Sequence, residues 1–267
     1  MKSFNQGILR IACGSAIALS GASGYADSGH DCRDLPNNAE LSRALKAAQG
    51  VMGGNGGFGL NMWGTIVNRD GVVCAVAFTG TDRGSQWPGS RVISAQKANT
   101  ANSFSLPGLA LSTANLWAAV QPGGSLYGLQ HSNPVDTEVA YKGPSSHFGQ
   151  SNDPMVGKKI GGVNVFGGGL ALYKGPMNAR TLVGAVGVSG DTSCADHNIA
   201  WRTRNNLSLD FVPGGVGSDG MRPDNINYQG LVPPVLGLAA DFSHPICKIA
   251  GVDGVSTISA GLPPVPQ

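Results

Sequence analysis

Gly187-Val188-Ser189-Gly190-Asp191 has the look of a turn that presents a nucleophilic serine between a strand and a helix, with His197 a short way downstream as its base. The strained elbow that exposes such a serine needs glycine at its fifth position, where this chain has Asp191. His197 falls on the first turns of the following helix and would have to fold back to take a proton from Ser189. A tight turn before a capped helix is the plainer reading, with Asp196 near the helix start favoured by the macrodipole. If the segment performs chemistry, it is acid–base or nucleophilic work on a small substrate by Ser189, Asp191, Asp196 and His197. The five histidines, His30, His131, His147, His197 and His244, share no i, i+3 or i+4 spacing with another ligand, the spacing that builds a metal-binding helix face. His197 is the one placed to face a cofactor or its metal.

Gly54-Asn55-Gly56-Gly57-Phe58-Gly59 matches the pattern of a dinucleotide-binding turn, but that turn must follow a strand and open a helix, and here the order is reversed. With 41 glycines in 267 residues, about 15% against roughly 7% in an average protein, such a match arises by chance. Neither a phosphate-binding P-loop nor the H-E-x-x-H zinc pattern occurs. Charged residues are 13% and the net charge is +2, which leaves no field to gather nucleic acid or anionic lipid. An apolar content of 41% is enough for a packed core.

Residues 1–26 read as a secretory signal peptide: Lys2 and Arg10 are basic, Ile11 to Leu19 is a short apolar run, and Gly24-Tyr25-Ala26 suits cleavage after Ala26. The run is too short to span a bilayer, so the mature protein is expected to be exported to the periplasm or beyond, free of the membrane. Eighteen basic residues less the two in the leader leave sixteen, equal to the sixteen acidic ones. Cys13 leaves with the leader. Cys32, Cys74, Cys194 and Cys247 are too dispersed for the paired spacing of a zinc site and are expected to form two disulfides, with three pairings open. A Pro-rich tail needs anchoring beyond the last helix and the N-terminal segment needs it before the first, which favours Cys194 with Cys247 and Cys32 with Cys74.

The elements that position these residues follow from periodicity. Asn37 caps a helix from about Ala39 to Gln49, with Leu41, Ala44, Leu45 and Ala48 on one face and Gly50 and Gly53 as its stop. Trp63–Val67 and Val72–Phe78 form a hairpin about Asp70-Gly71. Ser90 is expected to cap a second helix through Phe104. The stretch from about 105 to 165 lacks strand periodicity and reads as an insertion with one helical piece at Leu109 to Val120. Gly169–Lys174 and Leu182–Val188 form a second strand pair, followed by a helix to about Leu207 with Ser193 and Asp196 at capping-box spacing. An irregular Pro-rich tail occupies about 212–267. Both strand pairs are joined too tightly for parallel crossovers, so the sheet is mainly antiparallel. Residues 27–267 are therefore expected to form one α/β or α+β domain, a profilin-like sandwich of a small sheet packed by helices.

Three segments together resemble the GlcG/HbpS-like haem-binding domain family: Asn68 to Asp82 leading to Ser94-Ala95-x-Lys97-Ala98-x-Thr100-Ala101; Gly167 to Tyr173; and Leu182 to Gly190 followed by Asp196. The resemblance covers most of residues 38 to 210, outside the insertion and the tail. It implies homo-oligomers and haem or a related tetrapyrrole as ligand, with some members credited with haem degradation. The first helix here carries no histidine, where some relatives would ligate iron. On this footing the ligand is expected between Thr192–His197 and the Lys97 helix, with Lys97, Thr100, Ser189 and His197 as binding residues and Lys97 as charge partner of a propionate. The leading expectation is an exported haem carrier or sequestering protein without turnover. The alternatives are a small-substrate enzyme using Ser189, Asp191, Asp196 and His197, or a structural oligomer subunit.

Overall fold

The computed structural model describes residues 31–52, 54–229, 241–248 and 255–267. The leader with Cys13, the stop residue Gly53, His30 and parts of the tail lie outside them. The described residues hold, in chain order, α1 (Asn38–Gln49), β1 (Trp63–Asn68), β2 (Val73–Phe78), α2 (Ser90–Phe104), α3 (Leu129–Ser132), α4 (Thr137–Ala140), β3 (Gly169–Lys174), β4 (Thr181–Ser189), α5 (Ser193–Asn206) and α6 (Val255–Ala260), with short 3₁₀ turns between them.

Helix α1 starts where expected because Asn37 and Glu40 complete a reciprocal capping box, and its buried residues are Leu41, Ala44, Leu45 and Ala48. Glycine at 71, with φ of +75°, lets the β1–β2 hairpin turn, and Asn68 Oδ1 accepts from the amides of Asp70 and Val72 to hold it. The strands form one fully antiparallel sheet in the order β2-β1-β4-β3, so the two hairpins meet through β1 and β4.

Helices cover both faces. On one, α1 and α5 pack over Ile66, Leu170, Leu172, Val186 and Val188. On the other, Val92, Ala95, Ala98 and Ala101 of α2 pack over Val67, Val73, Val76 and Ala185. Helix α2 lies close to β4 because Gly187 has no side chain: a Cβ there would meet Ala98 N at 2.5 Å and Ser94 O closer still.

Three local expectations change. Residue 89, not Ser90, is the N-cap of α2, with no side-chain cap; Ser90 Oγ instead accepts from Ser189 Oγ across the core at 3.2 Å. The piece at Leu109 to Val120 holds only 3₁₀ turns, Ala114–Leu116 and Ala118–Val120, because its polar residues serve distant partners: Thr113 Oγ1 donates to Phe166 O and Asn115 Nδ2 to Asn225 O. At α5 the cap is Thr192, whose hydroxyl accepts from Ala195 N, since Asp196 turns inward.

Insertion and tail are both part of the core. Ala140, Met155 and Ile160 of the insertion join the α2 side, and Leu262 and Val265 of the tail join the α1–α5 side. Two disulfides fasten the ends, Cys32 to Cys74 and Cys194 to Cys247.

Candidate functional site

The residues expected to flank a ligand are buried inside the protein, and two of them, Lys97 and Asp196, meet directly. Lys97 on α2 is 1% exposed and donates to Asp196 Oδ2 at 2.7 Å and to Val188 O at 3.0 Å. Burial pushes the Lys97 ammonium down and the Asp196 carboxyl up to about 6, each opposed by their mutual attraction. Asp196 Oδ1 accepts from Asp191 N, and the Asp191 carboxylate in turn accepts from the amides of Phe58 and Leu60, so this spine holds the Gly-rich 54–60 loop against α5. That role accounts for Gly57, where a Cβ would strike the Asp191 side chain.

Gly167, Gly168 and Gly169 occupy the space between α2 and α5. A Cβ on Gly167 would lie 3.0 Å from His197 Cβ, and one on Gly168 would lie 3.3 Å from Lys97 Nζ. His197 is fully buried, its Nε2 lies 3.1 Å from Asn225 Oδ1, and its Nδ1 has no hydrogen-bond partner. Burial lowers its pKa to about 4. Ser189 pairs with Ser90 and His197 with Asn225, so serine and histidine have separate partners. Thr100 Oγ1 donates to Gln96 O and accepts from Asn164 N, tying α2 to the end of the insertion. Each of the named residues is thus committed to a partner inside the domain.

The open, mostly apolar space lies at the other end of α2, where a cleft of about 550 Å³ opens between the α2 start, the loop after β2 and the insertion. Its size is in the range of small-molecule sites. Trp63 forms its floor, fixed by an edge-on contact with Phe78 at 5.3 Å and by Nε1 donation to Trp87 O at 3.1 Å. Phe148 and Tyr141 of the insertion form one wall and Val92 with Pro88 the other. Arg91, 2% exposed, lies 3.7 Å above the Phe148 ring and is held by Asp153 through Nε at 2.8 Å and through Nη2, with Nη1 donating to Ala140 O. Exposed Arg83 stands at the rim. A second depression of about 620 Å³, between the N-terminal segment, α1 and the end of α5, is lined by charges of both signs, including Arg33, Asp34, Glu40 and Arg43.

Sequence reasoning missed this cleft because two of its aromatic residues come from the insertion, which has no periodicity to place them. It also missed a cluster at the start of α5, where Cys194, His244 and Cys247 bring their donor atoms within 4.8 Å of one another. His244 Nε2 lies 2.7 Å from Ser193 Oγ, and burial lowers the His244 pKa to about 4. Among the described residues no helix is long and apolar enough to cross a membrane.

None of the curated proteins compared matches the chain. The solved structures that align with it include a PduOC:heme complex, at 22% identity and a TM-score of 0.43 over 65% of this chain and 94% of that one, and the Klebsiella pneumoniae protein ORFY, at 24% identity and a TM-score of 0.41 over 65% and 90%. Residues 39–204, from α1 to the end of α5, match the sequence profile described as haem degrading protein HbpS-like, and on that match the chain belongs to the HbpS-like family.

Proposed function

We propose that the chain is an exported haem-binding protein that sequesters or carries the tetrapyrrole without turning it over. Membership of a haem-related family across the whole sheet-and-helix core is the observation that carries this reading. The cleft at the start of α2 supplies what a flat, largely apolar dianion needs: the exposed Pro88 and half-buried Phe148 surfaces for the macrocycle, the Arg83 guanidinium for a propionate, and the Tyr141 phenol oxygen as a donor to iron. Binding is favoured over turnover because Ser189, Asp196 and His197 are committed to buried partners. Lys97, Thr100, Ser189 and His197 then act as the rigid support behind α2. Two disulfides fit an oxidising compartment.

Titrating the purified chain with haemin and following the Soret band tests this. Saturation at one haemin per chain is expected. Position 89 has open space around a Cβ, so Gly89→Trp fills the cleft without disturbing the fold and should weaken haemin binding by about tenfold or more. No Soret change removes the haem reading, equal binding by Gly89→Trp moves the site elsewhere, and loss of the Soret band on adding a reductant in the presence of dioxygen, but not in its absence, would favour degradation over carriage.

A further inference from the structure

We propose that the depression between the N-terminal segment, α1 and the end of α5 binds small zwitterions that carry two carboxylates and one ammonium, the class of the acidic amino acids and acidic dipeptides. It shares no lining residue with the cleft at the start of α2, and α1 and α2 cover opposite faces of the sheet, so the site stands whether or not that cleft holds haem. Its charges divide into those already answered and those left open. Arg33 pairs with Asp31, and Glu40 accepts from the Asn37 amide at 2.9 Å as part of the capping box. Asp34, Arg43 and Lys174 are near the same depression, and their side chains have no hydrogen-bond or ion-pair partner among the described residues. Two cations and one carboxylate are therefore left for a ligand, and their complement is two carboxylates and one ammonium.

The opposed charges also decide what is refused. A simple anion meets Arg43 and Lys174 but is repelled by Asp34, and a simple amine meets Asp34 but is repelled by both cations, so a molecule that carries both signs is favoured over either. Asn206 serves the ammonium as well: its Nδ2 donates to Ala44 O at 3.1 Å, which leaves Oδ1 to accept, and it is the last residue of α5, where the helix macrodipole favours a cation. Leu35, Ala44 and Leu209, all buried, floor the depression and offer a surface to the methylene groups of the ligand.

The four polar groups are held in place before any ligand arrives. Arg43 rides on α1, Lys174 ends β3 and Asn206 ends α5, while Asp34 lies in the Cys32–Asp34 turn, which Asp31 caps and the Cys32–Cys74 disulfide ties to β2. Binding therefore requires little ordering of loops. A smaller depression of about 390 Å³ shares Asp34, Leu35 and Lys174 with the first, which gives room for a dipeptide as well as a single amino acid. Asp34, Leu35, Asn206 and Leu209 lie outside residues 39–204, so the site is completed by parts of this chain beyond the family core.

Isothermal titration calorimetry of the purified chain at low salt tests this with L-glutamate and alanyl-glutamate as probes. Saturable binding of one probe per chain in the millimolar range or tighter is expected. Glutarate, which lacks the ammonium, and L-glutamine, which lacks one carboxylate, should each bind about fivefold more weakly. Arg43→Gln and Lys174→Gln should each weaken L-glutamate by a similar factor. Asp34→Asn should weaken L-glutamate yet leave glutarate bound as well as before or better, since it removes the partner of the ammonium and the repulsion of an anion together. All three side chains are exposed, so these variants should fold as the parent does, and their haemin titrations should be unchanged. No saturable heat in the millimolar range, equal affinity for L-glutamate, glutarate and L-glutamine, or an Asp34→Asn effect that is the same for L-glutamate and glutarate overturns the proposal.

Discussion

Replacing Lys97 with methionine keeps the stem of the side chain and removes its charge. Asp196 is then left out of water with the Asp191 amide as its remaining hydrogen-bond donor. Removing one partner of a buried ion pair costs about 3–5 kcal/mol, because the other charge stays behind uncompensated. Protonation of Asp196 sets a ceiling of similar size. Holding that carboxyl neutral at pH 7, about three units above its ordinary 3.8, costs about 4 kcal/mol at ~1.4 kcal/mol per unit. For a domain of this size each kcal/mol lowers the melting temperature by about 2–4 °C, so scanning calorimetry of Lys97→Met at pH 7 should show a fall of roughly 10 °C. The fall should shrink at pH 5, where the stranded carboxyl takes up its proton at lower cost. Lys97→Met with Asp196→Leu should recover much of the loss, since an apolar pair needs no compensation. A melting temperature within about 2 °C of the parent, or a loss that is the same at both pH values, would refute a buried pair. Haemin affinity of the folded variant should be unchanged if the cleft at the other end of α2 is the site.

Gly187→Ala should destabilise the chain by about 3 kcal/mol or more, since its Cβ meets the α2 backbone itself rather than a movable side chain; urea unfolding measures this, and a change under about 1 kcal/mol would show that α2 can shift away. Acid should also destabilise the fold. His197 and His244 have folded pKa values lowered to about 4, so the stability they contribute is complete above their ordinary 6.5 and is lost as pH falls towards 4. Asp196, raised to about 6, works in the opposite direction, its contribution growing as pH falls from 6 to 3.8. The net difference is about one proton taken up on unfolding, a slope of about 1.4 kcal/mol per pH unit between pH 6 and 4, and His197→Asn should flatten it. Urea melts across that range that show rising stability would contradict these assignments.

Elements with local signals were readable from the sequence. The capping box at Asn37, the Asp70-Gly71 turn and the β-branched runs around them depend on neighbours a few residues away, and the structure has them as the pattern implies. Antiparallel pairing followed from the short connections alone. The charged core was not readable, because its partners lie far apart in the chain: Lys97 and Asp196 are 99 residues apart and Arg91 and Asp153 are 62 apart. On an amphipathic reading a lysine in a helix belongs to the solvent or to a ligand, and nothing near Lys97 announces a carboxylate arriving from another helix. His244 was passed over for the same reason, since its neighbours Ser193 and Cys194 come from the start of α5.

Arg91 finds its carboxylate in the insertion and Arg204 finds Asp224 in the tail, at 2.5 and 2.9 Å, with neither side chain exposed. Two stretches outside the sheet and its covering helices therefore neutralise cations in the interior. Once such a charge has been taken out of water, the stretch that answers it can no longer be trimmed away alone, because its loss strands an unpaired guanidinium among apolar side chains. Shortening either stretch would need a simultaneous change at Arg91 or Arg204, and this coupling acts as a ratchet that ties the length of both stretches to the charge of the core.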